Sequence, residues 1–379
     1  MSGIYLHIPF CKQACHYCDF HFSTSMRNKD AIVAAICREA VLRQDYLGQE
    51  PVGTVYFGGG TPSLLSQAEL LQIFETLHHY YPILPDAEIT LEANPDDLMP
   101  AKLRELQATP VNRLSIGLQS FHDPHLRLMN RAHTAGESLT SVQEAQQAGF
   151  SNITVDLIYG IPAPDHSLWL RDLDQLFRLE VQHVSCYALT IEPQTVFGHR
   201  TRKGTFTPGE EEFVARQFEI LTERMREEGF GQYEISNFCR PGFESRHNGN
   251  YWRQVPYLGL GPSAHSFRGA SRQYNVASNA RYLQALQQDQ IPATVEELTP
   301  EDQANEYVMT TLRTSWGCDL RVVRERYGLD LAATQAPYLR DLAERGLLRR
   351  EEEVLYLTDP GKLLADQIAL DLFVLPAGE

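Results

Sequence analysis

The stretch Tyr5-Leu6-His7-Ile8-Pro9-Phe10-Cys11-Lys12-Gln13-Ala14-Cys15-His16-Tyr17-Cys18 indicates both the fold and the chemistry of this chain. It runs from a short apolar segment, typical of a buried strand, directly into three cysteines spaced Cys-x3-Cys-x2-Cys. Because the chain has 7 cysteines, an odd number, and no evident secretion signal, we expect no disulfide framework. The other four are predicted to be small buried side chains: Cys37, Cys186, Cys239 and Cys318.

Outward from this stretch, apolar runs alternate with helical patterns up to about residue 190. Runs rich in β-branched or aromatic residues predict strands over Ile4–Pro9, Thr54–Phe57, Glu88–Glu92, Arg113–Gly117, Ile153–Ile158 and His183–Leu189. Helical spacing predicts helices over Asp30–Tyr46, Gln67–Tyr80, Gly136–Ala148 and Leu168–Leu179. Such alternation implies parallel strands with right-handed crossovers, and the six countable units favour an α/β fold with an open, partial (β/α)6 barrel.

Chemistry in barrels of this kind sits at the C-terminal ends of the strands. Candidate residues follow several of the predicted strands there: Gly58-Gly59-Gly60 after the second, Glu92 after the third, Gln119 after the fourth and Asp156 on the fifth. The glycines would let the backbone approach a ligand closely, because they lack a Cβ. We therefore expect a ligand site at this end of the barrel.

The remainder of the chain divides into further segments. Residues 210–228 predict a charged amphipathic helix, and residues 229–292 are rich in loops and strands. A helix start follows at Thr299-Pro300-Glu301-Asp302, with a Thr cap and Pro at the first helical position. With a short Val354–Thr358 strand, it predicts a mainly helical, winged-helix-like C-terminal domain. We predict three regions: a barrel over 1–230, an associated α/β segment over 231–298, and the C-terminal domain over 299–379.

Charge and hydropathy exclude some functional classes. The formal net charge is −16, so the surface should repel phosphate backbones, and nucleic-acid binding is not expected. No stretch reaches the roughly 18 apolar residues that a membrane span requires. With no signal peptide evident, we expect a cytoplasmic protein.

The cysteine loop admits two interpretations. A zinc site would need a fourth ligand from His7, His16 or His21, since zinc usually takes four Cys or His ligands. Alternatively, three thiolates hold three irons of a [4Fe–4S] cluster and leave the fourth iron open to chelate S-adenosylmethionine (SAM). Electron transfer into the sulfonium of SAM would then release a 5′-deoxyadenosyl radical. Tyr17 lies where it could stack on a base or shield the cluster. The spacing directly after a strand favours the cluster.

The cysteine spacing with Tyr17, and Gly58-Gly59-Gly60-Thr61-Pro62, resemble the radical SAM superfamily. The run before Cys11 narrows the resemblance to the oxygen-independent coproporphyrinogen III oxidase-like family. It extends through Leu91-Glu92-Ala93-Asn94-Pro95, the 115–121 segment Ser-Ile-Gly-Leu-Gln-Ser-Phe, the 156–162 segment Asp-Leu-Ile-Tyr-Gly-Ile-Pro, and Asn305-Glu306-Tyr307. The resemblance covers nearly the whole chain.

The resemblance implies which residues contact SAM. The loop Gly59, Gly60 and Thr61 would face the methionine amino group, and Arg131 its carboxylate. Glu92 would lie near the methionine or ribose, and Asp156 near the ribose hydroxyls. The implied contacts are completed by Tyr5, Tyr17 and Gln119, and by Ala188 and His265, where the alignment is looser.

Two features distinguish the branches of this family. The oxidase has a longer N-terminal extension and a Cys where this chain has Phe20, and both departures put oxidase activity in doubt. The HemW branch has Phe there and a His-Asn-x-x-Tyr-Trp motif, which is similar to His247-Asn248-Gly249-Asn250-Tyr251-Trp252. His247 is therefore a candidate haem ligand, with Cys239, His7, His21 and His265 as competitors. A hydrogen-bonded histidine in a rigid loop is an equal alternative for His247.

The HemW resemblance implies a haem chaperone that retains the cluster and SAM and delivers haem to respiratory proteins. It also implies a reductant such as flavodoxin or ferredoxin. It leaves open whether the chain is an enzyme. The competing hypotheses are an oxygen-independent coproporphyrinogen III oxidase, which decarboxylates propionates, and a zinc-stabilised binding protein.

Overall fold

Six parallel strands form the core of the fold, in a computed structural model that describes residues 1–374. They lie side by side in chain order. The strands are β1 (Ser2–Ile8), β2 (Val52–Gly59), β3 (Ile83–Ala93), β4 (Arg113–Gln119), β5 (Ile153–Tyr159) and β6 (His183–Ala188). The predicted partial barrel of six β/α units is confirmed. Each predicted strand is present, although β3 begins five residues earlier than the sequence indicates.

Helices on the outer face connect these strands. They are α1 (Lys29–Leu42), α2 (Gln67–Tyr80), α3 (Pro100–Gln107), α4 (Asp123–Leu128), α5 (Ala135–Gln147) and α6 (Ser167–Phe177), followed by α7 (Val196–Arg202) and α8 (Glu211–Glu227). Two short 3-10 helices, Pro62–Leu64 and Pro95–Asp97, follow β2 and β3. Capping boxes fix the starts of α2, by Ser66 and Glu69, and of α5, by Thr134 and Glu137.

Side chains along each strand alternately face the apolar core and the barrel interior. On β1 the side chains of Ile4, Leu6 and Ile8 are at most 1% exposed and belong to the main apolar core. Their neighbours Tyr5 and His7 face the barrel interior, where Tyr5 stacks on Tyr56 of β2 at 6.1 Å between ring centroids. Because successive strand residues point to opposite faces, the barrel is apolar under its helices and polar inside.

The 231–298 segment extends this sheet at both edges to twelve strands. Its elements are β7 (Gly231–Glu234), β8 (Asn237–Cys239), α9 (Arg246–Trp252), β9 (Tyr257–Leu260), β10 (His265–Arg268), β11 (Ser271–Asn275), α10 (Asn279–Leu286) and β12 (Ala293–Glu297). β8 pairs with β6, whereas β9 pairs in parallel with β1. The sequence did not indicate the β1–β9 pairing.

A buried ion pair attaches this extension to α1. Arg43 lies 3.2 Å from Glu39, and both side chains are at most 2% exposed. The Glu39 carboxylate also accepts hydrogen bonds from the Gly261 backbone, from Asn275 and from Tyr282, at 2.6–2.9 Å. One buried carboxylate of α1 thus holds the residue after β9, the strand β11 and the helix α10.

The C-terminal region has its own apolar core, built from residues between Val308 and Leu372. Its elements are α11 (Pro300–Leu312), β13 (Cys318–Asp319), α12 (Leu320–Tyr327), α13 (Leu331–Thr334), α14 (Ala336–Glu344), β14 (Leu348–Glu351), β15 (Val354–Leu357), α15 (Asp359–Lys362) and α16 (Ala365–Asp371). Thr299 and Asp302 form the expected capping box. The predicted domain limits stay a prediction, and residues 375–379 lie outside the described part. No helix within residues 1–374 is long and apolar enough to cross a membrane.

We expect Glu39→Gln to lower the free energy of unfolding by about 3–5 kcal/mol, because it leaves the buried Arg43 guanidinium without its counter-charge. Urea unfolding followed by circular dichroism measures the change. The matched control is Asp341→Asn, which removes an exposed ion pair with Arg345 and should cost less than about 1 kcal/mol. Equal effects of the two changes would contradict this account.

Candidate functional site

A cavity of about 510 Å³ opens at the carboxyl ends of the barrel strands, beside the cysteine loop. The structure brings most of the predicted site residues to its wall. They are Cys11, Cys15, Tyr17, Cys18, Gly59, Gly60, Thr61, Glu92, Gln119, Arg131, Asp156 and Ala188. They come from the loop after β1 and from β2 to β6 or the residues just after them, except Arg131, which lies between α4 and α5.

The cysteine loop is held by backbone hydrogen bonds to its surroundings. The Cys11 N–H donates to the carbonyl of Ser23 at 3.1 Å, and the His16 N–H to that of Met129 at 3.0 Å. Lys12 extends outward to Asp96, 2.7 Å away. The loop therefore has a defined path that does not rely on the thiols, and all three cysteines stay partly exposed to the cavity.

The three thiols lie close enough to influence one another. The pKa of Cys18 is raised to about 12, chiefly by burial and in smaller part by the nearby Cys15 and Cys11. Burial also raises the pKa of Cys11. Within residues 1–374, no three Cys, His, Asp or Glu side chains converge on a single metal-ion position. Ligands of a [4Fe–4S] cluster bind separate irons, so three thiols around one opening fit that group without such convergence.

Arg131 joins the cysteine loop to two strands. Its guanidinium donates to Cys15 Sγ and to the Tyr17 hydroxyl, both at 3.4 Å. It also donates to Asn94 Oδ1 at 2.6 Å and to the Gly117 carbonyl at 2.8 Å. Its Nε atom is buried without a partner. A fixed cation that retains a spare donor at the cavity wall suits the carboxylate of a ligand.

The glycine loop comes into close contact with the strand beside it. Gly59 has φ +102°, and a Cβ there would lie 2.6 Å from His7 Cε1. At Gly60 a Cβ would lie 2.6 Å from the Phe10 carbonyl oxygen. The Gly60 and Thr61 N–H groups donate to Ile8 and Phe10, at 2.9 and 2.7 Å. These donors are used within the protein, so a ligand amino group would meet the carbonyl oxygens of this edge.

Two carboxyl groups inside the cavity have raised pKa values. Burial raises the pKa of Glu92 to about 7, although the hydroxyl of Tyr56 donates to it at 2.8 Å. Burial likewise raises the pKa of Asp156 to about 6. A cationic ligand would favour their ionised forms, since an opposite charge stabilises a carboxylate. The pair can therefore recognise a sulfonium or ammonium group, or accept hydrogen bonds from hydroxyls.

Several wall residues were not identified from the sequence, chiefly Tyr56, Asn94, Arg113 and Asn248. Asn94 connects Thr61, to which it donates at 3.2 Å, with Arg131. Strand alternation would have indicated both Tyr56 and Arg113. Tyr56 lies two residues before Gly58, and Arg113 lies six residues before Gln119, so each is an even number of residues from a candidate. Asn248, which reaches the cavity from α9, belongs to the His-Asn-x-x-Tyr-Trp motif, in which only His247 was taken as a candidate ligand.

Tyr5 and His247 lie one layer below this wall and do not line it. The His247 ring stacks on Tyr56, with centroids 5.0 Å apart. Its Nδ1 is hydrogen-bonded to Thr54 at 2.8 Å and its Nε2 to Tyr251 at 2.9 Å. Burial lowers its pKa to about 3, and the side chain is 2% exposed. In this arrangement neither ring nitrogen of His247 is free for a haem iron.

The other histidine candidates also have partners. His7 Nε2 donates to the His21 carbonyl, His16 Nδ1 to that of Leu128, and His21 Nε2 to Asn279, all at 2.8 Å. His265 is exposed on β10, outside the cavity wall. The predicted burial of Cys37, Cys186, Cys239 and Cys318 is confirmed.

The known proteins to which this chain is similar are related to one another. The family model described as "Radical SAM superfamily" matches residues 5–171, and "HemN C-terminal domain" matches residues 298–364. The chain is 36% identical to "Heme chaperone HemW" of Bacillus subtilis, covering 97% of this chain and 98% of that protein. It is 35% identical to the protein of that name from Mycobacterium tuberculosis, covering 98% and 94%.

A solved structure shows the same architecture. Coproporphyrinogen III oxidase (HemN) from Escherichia coli, described as a radical SAM enzyme, superposes with a TM-score of 0.85 at 23% identity. The match covers 98% of this chain and 90% of that one. At this level of identity the likeness concerns the fold alone.

We expect Glu92→Gln to flatten the dependence of stability on pH. The pKa of Glu92 is raised in the folded state, so its contribution is complete below pH 4.5 and is lost as pH rises towards 7. The loss amounts to up to about 3 kcal/mol, reduced by water in the cavity. Thermal unfolding of the ligand-free protein across this range measures it. If the thermal midpoint of the wild type does not fall relative to that of the variant as the pH rises from 4.5 to 7, this assignment is contradicted.

Proposed function

The chain belongs to the HemW branch of the oxygen-independent coproporphyrinogen III oxidase-like family of radical SAM proteins, and from this premise we propose that it is a haem chaperone. In this proposal it acts in the cytoplasm, binds a [4Fe–4S] cluster and SAM, and delivers haem to respiratory proteins. The observation that carries the proposal is the similarity, over nearly the whole chain, to proteins named heme chaperone HemW.

The cavity wall supports the cofactor part of the proposal. Cys11, Cys15 and Cys18 would hold the cluster, which supplies one electron to the sulfonium of SAM. Arg131 would bind the methionine carboxylate, because it keeps a donor without a partner while fixed to Cys15 and Tyr17. The carbonyl edge of Gly59, Gly60 and Thr61 would accept from the amino group.

The remaining assignments concern the sugar, the base and the charge of the ligand. Asp156 would accept hydrogen bonds from ribose hydroxyls, and Glu92 would lie near the methionine or ribose. Tyr17 would stack on the base or shield the cluster. Gln119 lies on the same cavity wall. Tyr5 would act through Tyr56, on which it stacks. Ionised Glu92 and Asp156 would also favour a positively charged ligand.

We expect reconstituted wild-type protein to hold about four irons per chain, because three thiolates suffice for a [4Fe–4S] cluster. Cys15→Ser should lose most of the iron, whereas Cys37→Ser, in a buried cysteine away from the loop, should retain it. Iron and sulfide analysis with absorption spectra measures both. Zinc without sulfide in the wild type would support a zinc-stabilised protein instead. Release of CO2 from coproporphyrinogen, given reductant and SAM, would support the oxidase alternative.

Haem titration of the purified protein, followed by the Soret band, tests the chaperone function. We expect saturable 1:1 binding that survives in His247→Gln, because both His247 nitrogens bond within the fold. The variant should instead lower the thermal midpoint, since it removes a buried ring stacked on Tyr56. Loss of haem binding with the fold retained would identify His247 as the ligand. Absence of a Soret shift in the wild type would refute the chaperone proposal.

A further inference from the structure

The chain makes a strained turn where β4 ends, at Leu118-Gln119-Ser120. Gln119 has φ +67°, in the left-handed region that few residues other than glycine adopt. The Ser120 N–H donates to the Leu118 carbonyl at 2.9 Å and so closes a three-residue turn around Gln119. Such turns with a positive central φ are rare and strained. They persist only where surrounding contacts hold them, so the turn requires a partner outside itself.

The same turn forms a bulge in the barrel sheet. Gly117 is opposite Asp156 of β5. Gln119, two residues later, is opposite the very next residue of β5, Leu157. A bulge of this kind redirects the side chains beside it, and bulges are frequent next to functional sites. Here Leu118 stays in the apolar core, whereas Gln119 lies on the cavity wall.

The amide nitrogen of Gln119 lies over the backbone of Gly117. A Cβ at Gly117 would be 2.8 Å from Gln119 Nε2 and 3.3 Å from Arg131 Nη2. Within residues 1–374 no hydrogen bond occupies the Gln119 amide, whereas Arg131 Nη2 donates to Asn94 at 2.6 Å. The turn therefore places an unused hydrogen-bonding group beside the guanidinium that we assign to the methionine carboxylate of SAM.

Asp172, on α6, holds the two residues that follow Gln119. Its carboxylate accepts from the Ser120 hydroxyl at 2.7 Å and from the Phe121 N–H at 2.9 Å. Ser120 is 0% exposed and Asp172 4%, so removal of the carboxylate would leave a buried hydroxyl without this acceptor. The two bonds fix the direction of the chain immediately after the turn, and they tie the end of β4 to a helix about fifty residues away in sequence.

We propose that Asp172 is a positioning residue for SAM: it holds Gln119 in the left-handed turn and so keeps the Gln119 amide beside Arg131. This inference rests on the SAM site proposed above. Asp172 does not line the cavity beside the cysteine loop, so it acts through Gln119. Without the Asp172 carboxylate the turn would relax towards negative φ, and the Gln119 amide would leave its place over Gly117.

The test is the affinity of the cluster-loaded protein for SAM, measured by equilibrium dialysis without oxygen. Asp172→Ala should raise the Kd for SAM about three- to tenfold, as expected when one hydrogen bond to a ligand is lost. Asp172→Asn should restore most of the affinity, because its amide can accept from the Phe121 N–H and donate to Ser120 Oγ. The control is Asp174→Ala on the same helix, which removes an exposed carboxylate paired with Arg224 and should change Kd less than about twofold.

A double-mutant cycle with Gln119→Gly separates positioning from a general loss of structure. Glycine adopts a positive φ without strain and has no amide, so Gln119→Gly alone should weaken SAM binding about as much as Asp172→Ala. In the Gln119→Gly background, Asp172→Ala should then change Kd less than about twofold. If Asp172→Ala does not fold, Ser120→Ala removes only one of the two bonds and should show the same dependence on Gln119 with a smaller rise in Kd.

An unchanged Kd in Asp172→Ala would overturn the proposal. So would an equal loss of affinity with and without Gln119, because that result indicates a structural role alone. Wild-type protein that binds no SAM would refute the cofactor part of the proposed function and this inference with it. Haem plays no part in this measurement, so a failed haem titration would leave its outcome unaffected.

Discussion

The four hydrogen bonds of the Arg131 guanidinium organise the cavity. They hold Cys15 and Tyr17 of the cysteine loop, Asn94 after β3 and the backbone of Gly117 in β4. The two terminal nitrogens of this half-buried guanidinium are both occupied by acceptors, so its position fixes the loop relative to both strands. Asn94 extends the network to Thr61 in the glycine loop. One cation thus positions parts of the cysteine loop, the glycine loop and the strand ends.

The polar interior of the barrel follows from the same alternation that builds its apolar exterior. Tyr56, Glu92 and Asp156 face inward because their strand neighbours pack under the helices. Burial raises the pKa of Glu92 to about 7 and that of Asp156 to about 6. A cationic ligand would lower both pKa values, so the site is matched to the charge of its proposed ligand.

The His247 motif has a structural place in this arrangement. The backbone N–H groups of Arg246 and His247 donate to Glu88, at 3.0 and 2.9 Å, and the His247 ring lies beneath Tyr56. From there Asn248 reaches the cavity wall. The motif therefore forms the base of the site. A histidine that resembles a haem ligand in sequence can serve in the fold as a packed, hydrogen-bonded core residue.

Much of this protein could be predicted from its sequence, because the relevant signals are local. Strand and helix periodicity predicted six β/α units, and the cysteine spacing with the glycine loop indicated the site and its family. The tertiary structure alone decided which distant residues meet. Arg131 reaches Cys15 across 116 residues, and β9 pairs with β1 after an interval that no local pattern indicates. It also decided that His247 is enclosed. These outcomes depend on how strands pair and helices pack, which short-range sequence patterns do not specify.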